Sequence, residues 1–266
     1  MPFADVNDQS IHFVDHHVDS GGEGPAIILS HGFSMGHEMW EPQVGPLTDA
    51  GWRVVTYDER GWGQTTNTEP FTYWDLADDV LALMDHLGID TAVLGGMSQG
   101  GFLTLRAALT APGRVRAMVL VDSEANALSD EDRAQFQGLF DAALAMGLAG
   151  EVGDLLQGVL FAPGYAGAAI WRAKWNARPV TAWAAAKECL FERDSVADRL
   201  GEITCPALVV HGEVDAAIPI ERGREMADNL GGPTTFVEVP GAGHSSNLEN
   251  AATVNVALLQ FLGELG

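Results

Sequence analysis

Ser98 stands in Gly96-Met97-Ser98-Gln99-Gly100-Gly101, a G-x-S-x-G pattern that lifts a serine onto a sharp turn between a strand and a helix. A serine hydroxyl becomes a competent nucleophile when it stands clear of the backbone, beside a base and near amide donors for a developing oxyanion. Glycine at 96, 100 and 101 suits such a turn, because side chains there would collide across it. The surroundings add weight: Ala92-Val93-Leu94 before it is a short apolar run, and residues 102–109 after it favour a helix. A second match, Gly32-Phe33-Ser34-Met35-Gly36, continues into His37 and Glu38, bulky groups where an elbow needs small ones. Introduced by His31-Gly32, it suits instead a loop that donates an oxyanion amide, with the Ser34 hydroxyl at the pocket mouth.

A nucleophilic serine also needs a histidine base and a carboxylate that fixes the histidine's tautomer and supports its charge. With such an elbow the chain order is serine, acid, histidine, the last two on loops after late strands. His244, in Pro240-Gly241-Ala242-Gly243-His244, follows an apolar run directly on a glycine-rich loop and is the expected base. His12, His16 and His17 come too early, His86 lies on a polar helix face, and His31 and His211 end strands where backbone hydrogen bonds suit them. Two strand ends carry carboxylates. Asp215 closes Val210-His211-Gly212-Glu213-Val214-Asp215, and its loop runs into Ile218-Pro219 before a helix, so it is the favoured acid. Asp122, closing Val119-Leu120-Val121, stays open as the alternative, with capping of the following turn as its structural role. Glu213 reads as a loop anchor. Backbone N–H groups of Phe33 and Gln99 are the expected oxyanion donors, and Phe33, Ser34 and Met97 are expected beside the substrate.

Strand ends must carry these groups, and the first half of the chain alternates strand and helix signals. Residues 11–14, 26–29, 53–57, 92–94 and 116–121 read as strands, with a turn over 20–25. Residues 40–50 and 76–87 read as helices, the second stopping at Gly88. Short apolar strands separated by helices mean an α/β fold, a mostly parallel central sheet flanked by helices. Between 126 and 199 the strand signals stop. Helix-like stretches there, one opened by Ser129 as N-cap, carry Phe136, Phe140, Trp171, Trp175 and Trp183. The expected division is a core of 1–125 and 200–266 with a helical cap over 126–199, inserted after the strand that follows the elbow. Most of the cap's aromatic residues must pack its own core, with Trp171 and Trp183 expected to reach the substrate. Alternation resumes with a strand at 207–210, a helix at 221–230, a strand at 235–239 and a helix at 250–262.

The 266 residues hold 14 Lys and Arg against 37 Asp and Glu, a formal net charge of -23. That field argues against a nucleic-acid backbone or an anionic membrane surface as partner. No apolar run approaches the roughly 20 residues that span a bilayer. The first residues lack the basic and apolar regions of a signal peptide, and Cys189 and Cys205 are too few for a disulfide framework, so a cytoplasmic setting is expected. No nucleotide-binding loop implies a cofactor. No metal is expected either, since His37-Glu38-Met39-Trp40-Glu41 misses H-E-x-x-H at its last position.

Taken together, His31-Gly32 with Trp40 and Pro42-Gln43, Tyr57-Asp58-Glu59-Arg60-Gly61-Trp62-Gly63, the elbow, Gly212-Glu213-Val214-Asp215 and Gly241-Ala242-Gly243-His244 resemble the α/β-hydrolase family over nearly the whole chain. The likeness is greatest to the bacterial branch of small esterases, enol-lactonases, cofactor-free haloperoxidase/perhydrolases and carbon–carbon bond hydrolases. It implies a cofactor-free acyl-enzyme mechanism in which Ser98 attacks, His244 shuttles protons and Asp215 orients it, with the 58–63 loop structural and Arg60 bracing its neighbours. Serine at the elbow departs from the epoxide hydrolases and haloalkane dehalogenases of the family, which use aspartate there. Phe33-Ser34-Met35 lacks the proline many relatives carry, which weighs against perhydrolysis. The leading expectation is a hydrolase for small to medium, largely apolar carboxylic esters or lactones. Cleavage of a carbon–carbon bond or perhydrolysis by the same triad, and a slow-turnover ligand receptor or signalling protein that keeps it, are the other readings.

Overall fold

The computed structural model describes residues 3–16 and 24–265. Strands β1 (Phe3–Val6) and β2 (Gln9–His16) form an antiparallel hairpin. Its two linking residues, Asn7 and Asp8, both take positive φ, which matches the twist of paired strands and which Asn and Asp tolerate. Apolar patterning marks only 11–14 as strand; the Asn7-Asp8 turn is the signal that extends it. Met1, Pro2, His17 and most of the turn expected over 20–25 lie outside the described residues.

The alternation then follows as expected. It runs through β3 (Ala26–Ser30), α1 (Glu41–Asp49), β4 (Arg53–Tyr57), α2 (Tyr73–His86), β5 (Ala92–Met97), α3 (Gln99–Thr110) and β6 (Val115–Val121). Helix α2 opens on a capping box in which Thr72 and Asp75 exchange side-chain and backbone hydrogen bonds, and Gly88 closes it at φ 66°. Between β6 and the next strand come four helices: α4 (Asp130–Met146), α5 (Glu151–Leu160), α6 (Ala168–Asn176) and α7 (Ala184–Phe191). Ser129 caps α4 through its hydroxyl, which accepts the Asp132 N–H at 3.1 Å. The chain ends in β7 (Ala207–Gly212), α8 (Ile220–Asn229), β8 (Thr234–Val239), α9 (Ser246–Glu249) and α10 (Ala251–Glu264).

The eight strands form one sheet in the order β1-β2-β4-β3-β5-β6-β7-β8, parallel throughout except where β2 meets β1 and β4. The β3-to-β4 crossover runs one way along the sheet and the β4-to-β5 crossover runs back. Right-handed connections therefore place α1 on one face and α2 on the other. The packing agrees, α1 lying against α10 and α2 against α3. Strands β3, β5 and β7 are buried along their whole length, as strands covered on both faces must be. The order reverses between β3 and β5, which opens a crevice at their carboxyl ends. Phe33 and Ser98 leave the sheet on either side of it.

Candidate active site

Ser98 bridges β5 and α3 at φ 52° and ψ -115°, a conformation that a non-glycine residue holds only when its surroundings enforce it. Its N–H donates to the Val121 carbonyl at 2.8 Å, and its own carbonyl accepts the Ser123 hydroxyl at 2.9 Å. The turn closes only on glycine. A Cβ at Gly96 would lie 2.0 Å from the Gly100 carbonyl, one at Gly100 2.4 Å from the Ser30 oxygen, and one at Gly101 2.3 Å from Ser123 Oγ.

His244 approaches from the loop after β8 with Nε2 2.9 Å from Ser98 Oγ, and its Nδ1 lies 2.8 Å from Asp215 Oδ2. The other oxygen of Asp215 accepts the N–H groups of Ala217 and Ile218 at 2.8 and 2.9 Å. A second imidazole shares Oδ2: His211 Nε2 stands 3.2 Å from it and 2.8 Å from the Ile218 carbonyl. A carbonyl only accepts, so this nitrogen carries the proton. Burial pulls the His244 pKa down, yet the Asp215 carboxylate outweighs it and the imidazole sits above its ordinary value. Asp215 itself is buried, but His244 and His211 hold it below the usual carboxylate range. Asp122 does not touch His244. Its oxygens accept the N–H groups of Gly212 and Ser246, each at 2.8 Å, fastening the end of β7 to the segment after His244. Burial, with the Asp215 charge nearby, pushes it up to about 7.

The backbone N–H groups of Phe33 and Gln99 donate to no acceptor among the described residues. Gln99 opens α3, where the helix dipole adds positive potential. Its side chain donates to Glu59 Oε2 at 2.5 Å, and burial raises the Glu59 pKa well above its ordinary value. His31 ties the Phe33 loop to the same region: its Nδ1 faces the Gly32 carbonyl at 2.8 Å and its Nε2 accepts the Glu59 N–H at 3.0 Å. Asp58 is buried, but hydrogen bonds from the His37 ring and from the backbones of His37 and Gln64 hold it well below its usual range. Arg60 pairs with Asp79 of α2, the bracing that the family resemblance implied. Two groups bring three ligand-type atoms within 4.8 Å, His12 with His37 and Asp58, and Asp122 with His211 and Asp215. In both, histidine nitrogens face the carboxylate oxygens at 2.8 to 3.2 Å.

A narrow cavity of about 70 Å³ opens above Ser98 and His244, walled by Phe33, Trp183 and apolar side chains of α4 and α5. The five residues expected beside the substrate divide. Phe33 and Trp183 line this cavity. Ser34 and Trp171 line a separate one of about 320 Å³ that shares Trp183 as a wall. Met97 lines neither; it is buried, and its sulfur fills the space a Cβ on Gly32 would need. Ser34 also takes positive φ, but it turns within the Gly32–Met35 loop, and its carbonyl accepts the Trp175 indole N–H at 2.9 Å.

The family model for the alpha/beta hydrolase fold matches residues 25–251. The chain belongs to that family. RutD of Variovorax paradoxus, a protein named for carbamate hydrolysis, is 32% identical over 94% of this chain and 96% of its own length. The enol-lactonase from Burkholderia xenovorans LB400 superposes with a TM-score of 0.88 at 29% identity, covering 98% of this chain and 100% of that one. A thermophilic esterase from Thermogutta terrifontis follows at 0.86 and 28%, covering 97% and 94%. The protein is a hydrolase by this kinship. Among its described residues, no helix is long and apolar enough to cross a membrane.

This α/β-hydrolase also carries cavity-wall charges that the sequence does not announce. Glu124, Arg193 and Arg222 face the Ser98 cavity. Arg193 meets Glu124 at 2.7 Å with both side chains buried, and Arg222 bridges Glu124 and Asp132. Sixty-nine positions separate Glu124 from Arg193, and only the folded chain pairs them.

Proposed function

We propose that this α/β-hydrolase cleaves carboxylic esters or lactones with small to medium, largely apolar acyl groups through an acyl-enzyme on Ser98. The line from Ser98 Oγ through His244 to Asp215, with steps of 2.9 and 2.8 Å at the end of an apolar cavity, carries the reading. Ser98 Oγ attacks the carbonyl carbon as His244 Nε2 takes its proton. Asp215 keeps Nδ1 protonated and supports the imidazolium, while the N–H groups of Phe33 and Gln99 meet the oxyanion. His244 returns the proton to the leaving alcohol, and a water activated in the same way releases the acid.

Residues 126–199 act as the cap over a core of 1–125 and 200–266, supplying apolar walls from α4 and α5. The kinship supports ester chemistry, since the B. xenovorans relative is named an enol-lactonase and the T. terrifontis one an esterase. A net charge of -23 disfavours polyanionic substrates. The free Cys189 and Cys205 suit a reducing cytoplasm.

Steady-state hydrolysis of p-nitrophenyl acetate, butyrate and octanoate tests the reading. Ser98→Ala abolishes turnover, Ser34→Ala keeps most of it, and Asp215→Asn lowers kcat by about 10⁴, the loss that triad geometry sets elsewhere. Folded wild type with no turnover on any of the three esters overturns the proposal.

A further inference from the structure

The 320 Å³ cavity takes no part in the reaction derived above. It lies beside the Ser98 cavity across a partition one aromatic layer thick. Phe33 faces the first cavity, Trp62 the second and Trp183 both. The three rings meet edge to face at centroid distances of 4.8 to 6.0 Å. Trp183 closes a short turn between α6 and α7, and its indole N–H is buried with no hydrogen-bond partner. No hydrogen bond holds the Trp183 ring in the partition, so joining the compartments by moving this ring would break no polar bond.

Five charged or titratable side chains face the second cavity: His37, Glu38, Asp58, Lys174 and Arg178. Asp58 is satisfied by His12, His37 and Gln64. Glu38 pairs with Lys174 at 2.9 Å. Arg178 differs. Its guanidinium lies over the Trp62 ring at 5.5 Å and donates to the Gly61 carbonyl, with no carboxylate in salt-bridge range among the described residues. Asp58, on the same wall, acts on Arg178 only through space, so the guanidinium has N–H groups left over for an anion that enters the cavity. Ser34, on the same wall, holds a second buried polar group without a partner, its hydroxyl.

We infer that the second cavity is a subsite for a carboxylate on the alcohol part of the ester, held by Arg178 against the face of Trp62, while the acyl part fills the cavity at Ser98. The inference rests on reading Ser98 as an ester-cleaving nucleophile. It narrows the substrates to monoanions whose leaving alcohol bears the acid. A planar guanidinium suits a carboxylate because two N–H groups can meet two oxygens.

Two probes separate this inference from that reading. The first compares 4-carboxyphenyl butyrate with phenyl butyrate. KM for the carboxylate ester is about 10-fold lower in wild type, the factor expected of one charge-assisted hydrogen bond. Arg178→Gln raises that KM about 10-fold more than it raises KM for phenyl butyrate, and Arg178→Lys recovers part of the difference. The same KM ratio in wild type and Arg178→Gln overturns the inference. The second probe is calorimetric titration of Ser98→Ala with 4-hydroxybenzoate, which needs no hydrolysis. Saturable binding weakened about 10-fold by adding Arg178→Gln upholds the subsite even where wild type cleaves neither ester. Absence of saturable binding overturns it even where both are cleaved.

Discussion

One oxygen of Asp215 serves two histidines, accepting from His244 at 2.8 Å and from His211 at 3.2 Å. Each donor draws on the same negative charge, so His211 lowers the hold of Asp215 on the imidazolium of His244. Proton uptake by His244 stops the proposed reaction, and the Asp215 carboxylate holds that step above the ordinary 6.5 despite burial. The acid limb of kcat/KM is therefore expected above pH 6.5. His211→Met removes one donor, leaves more charge for His244, and moves the limb to higher pH, whereas a purely structural loss lowers the rate equally at every pH. A pH–rate profile on one p-nitrophenyl ester distinguishes them. The meeting of Ser98, His244 and Asp215 could be anticipated from the sequence because each follows a strand in a short signature. Ser34, Met97 and Trp171 were not separable from Phe33 and Trp183 there. Which way a loop or helix turns its side chains depends on packing that no spacing encodes.

At the scale of elements, the elbow works because β5 and α3 meet with no side chain between them. Gly101→Ala would set a Cβ 2.3 Å from Ser123 Oγ, the group that holds the Ser98 carbonyl. Displacing that hydroxyl costs about 1–3 kcal/mol in overpacking and lost hydrogen bonding, and activity falls together with Tm. Gly113→Ala, where nothing stands within 4 Å of the new Cβ, serves as the control and leaves the melting curve nearly in place. The alternation of strands and helices could be read from apolar runs, and the cap on α4 from Ser129. The β1–β2 hairpin hid in a turn without glycine. The expected helix at 250–262 is preceded by the separate short turn of α9, since Asn250 leaves helical geometry and caps α10 instead.

The whole molecule holds its fold against its own charge. With a net charge of -23, most of its arginines are engaged by nearby acids, and the remaining carboxylates repel one another across the surface. Raising NaCl from 10 mM to 500 mM shortens the Debye length from about 30 Å to under 10 Å. Tm is accordingly expected to rise, as a thermal melt series would show, while a fall would mean that attractive pairs dominate. The neighbouring strands β6 and β7 are separated in sequence by about 85 residues that include the helices α4 to α7. A ribosome making about 5–20 residues per second completes β6 several seconds before β7 emerges to cover its edge. During that interval a nascent sheet presents an unpaired apolar strand, the kind of edge that invites aggregation. Asp215 and His244 are added later still, so nascent chains carry the serine well before the acid and base proposed to arm it.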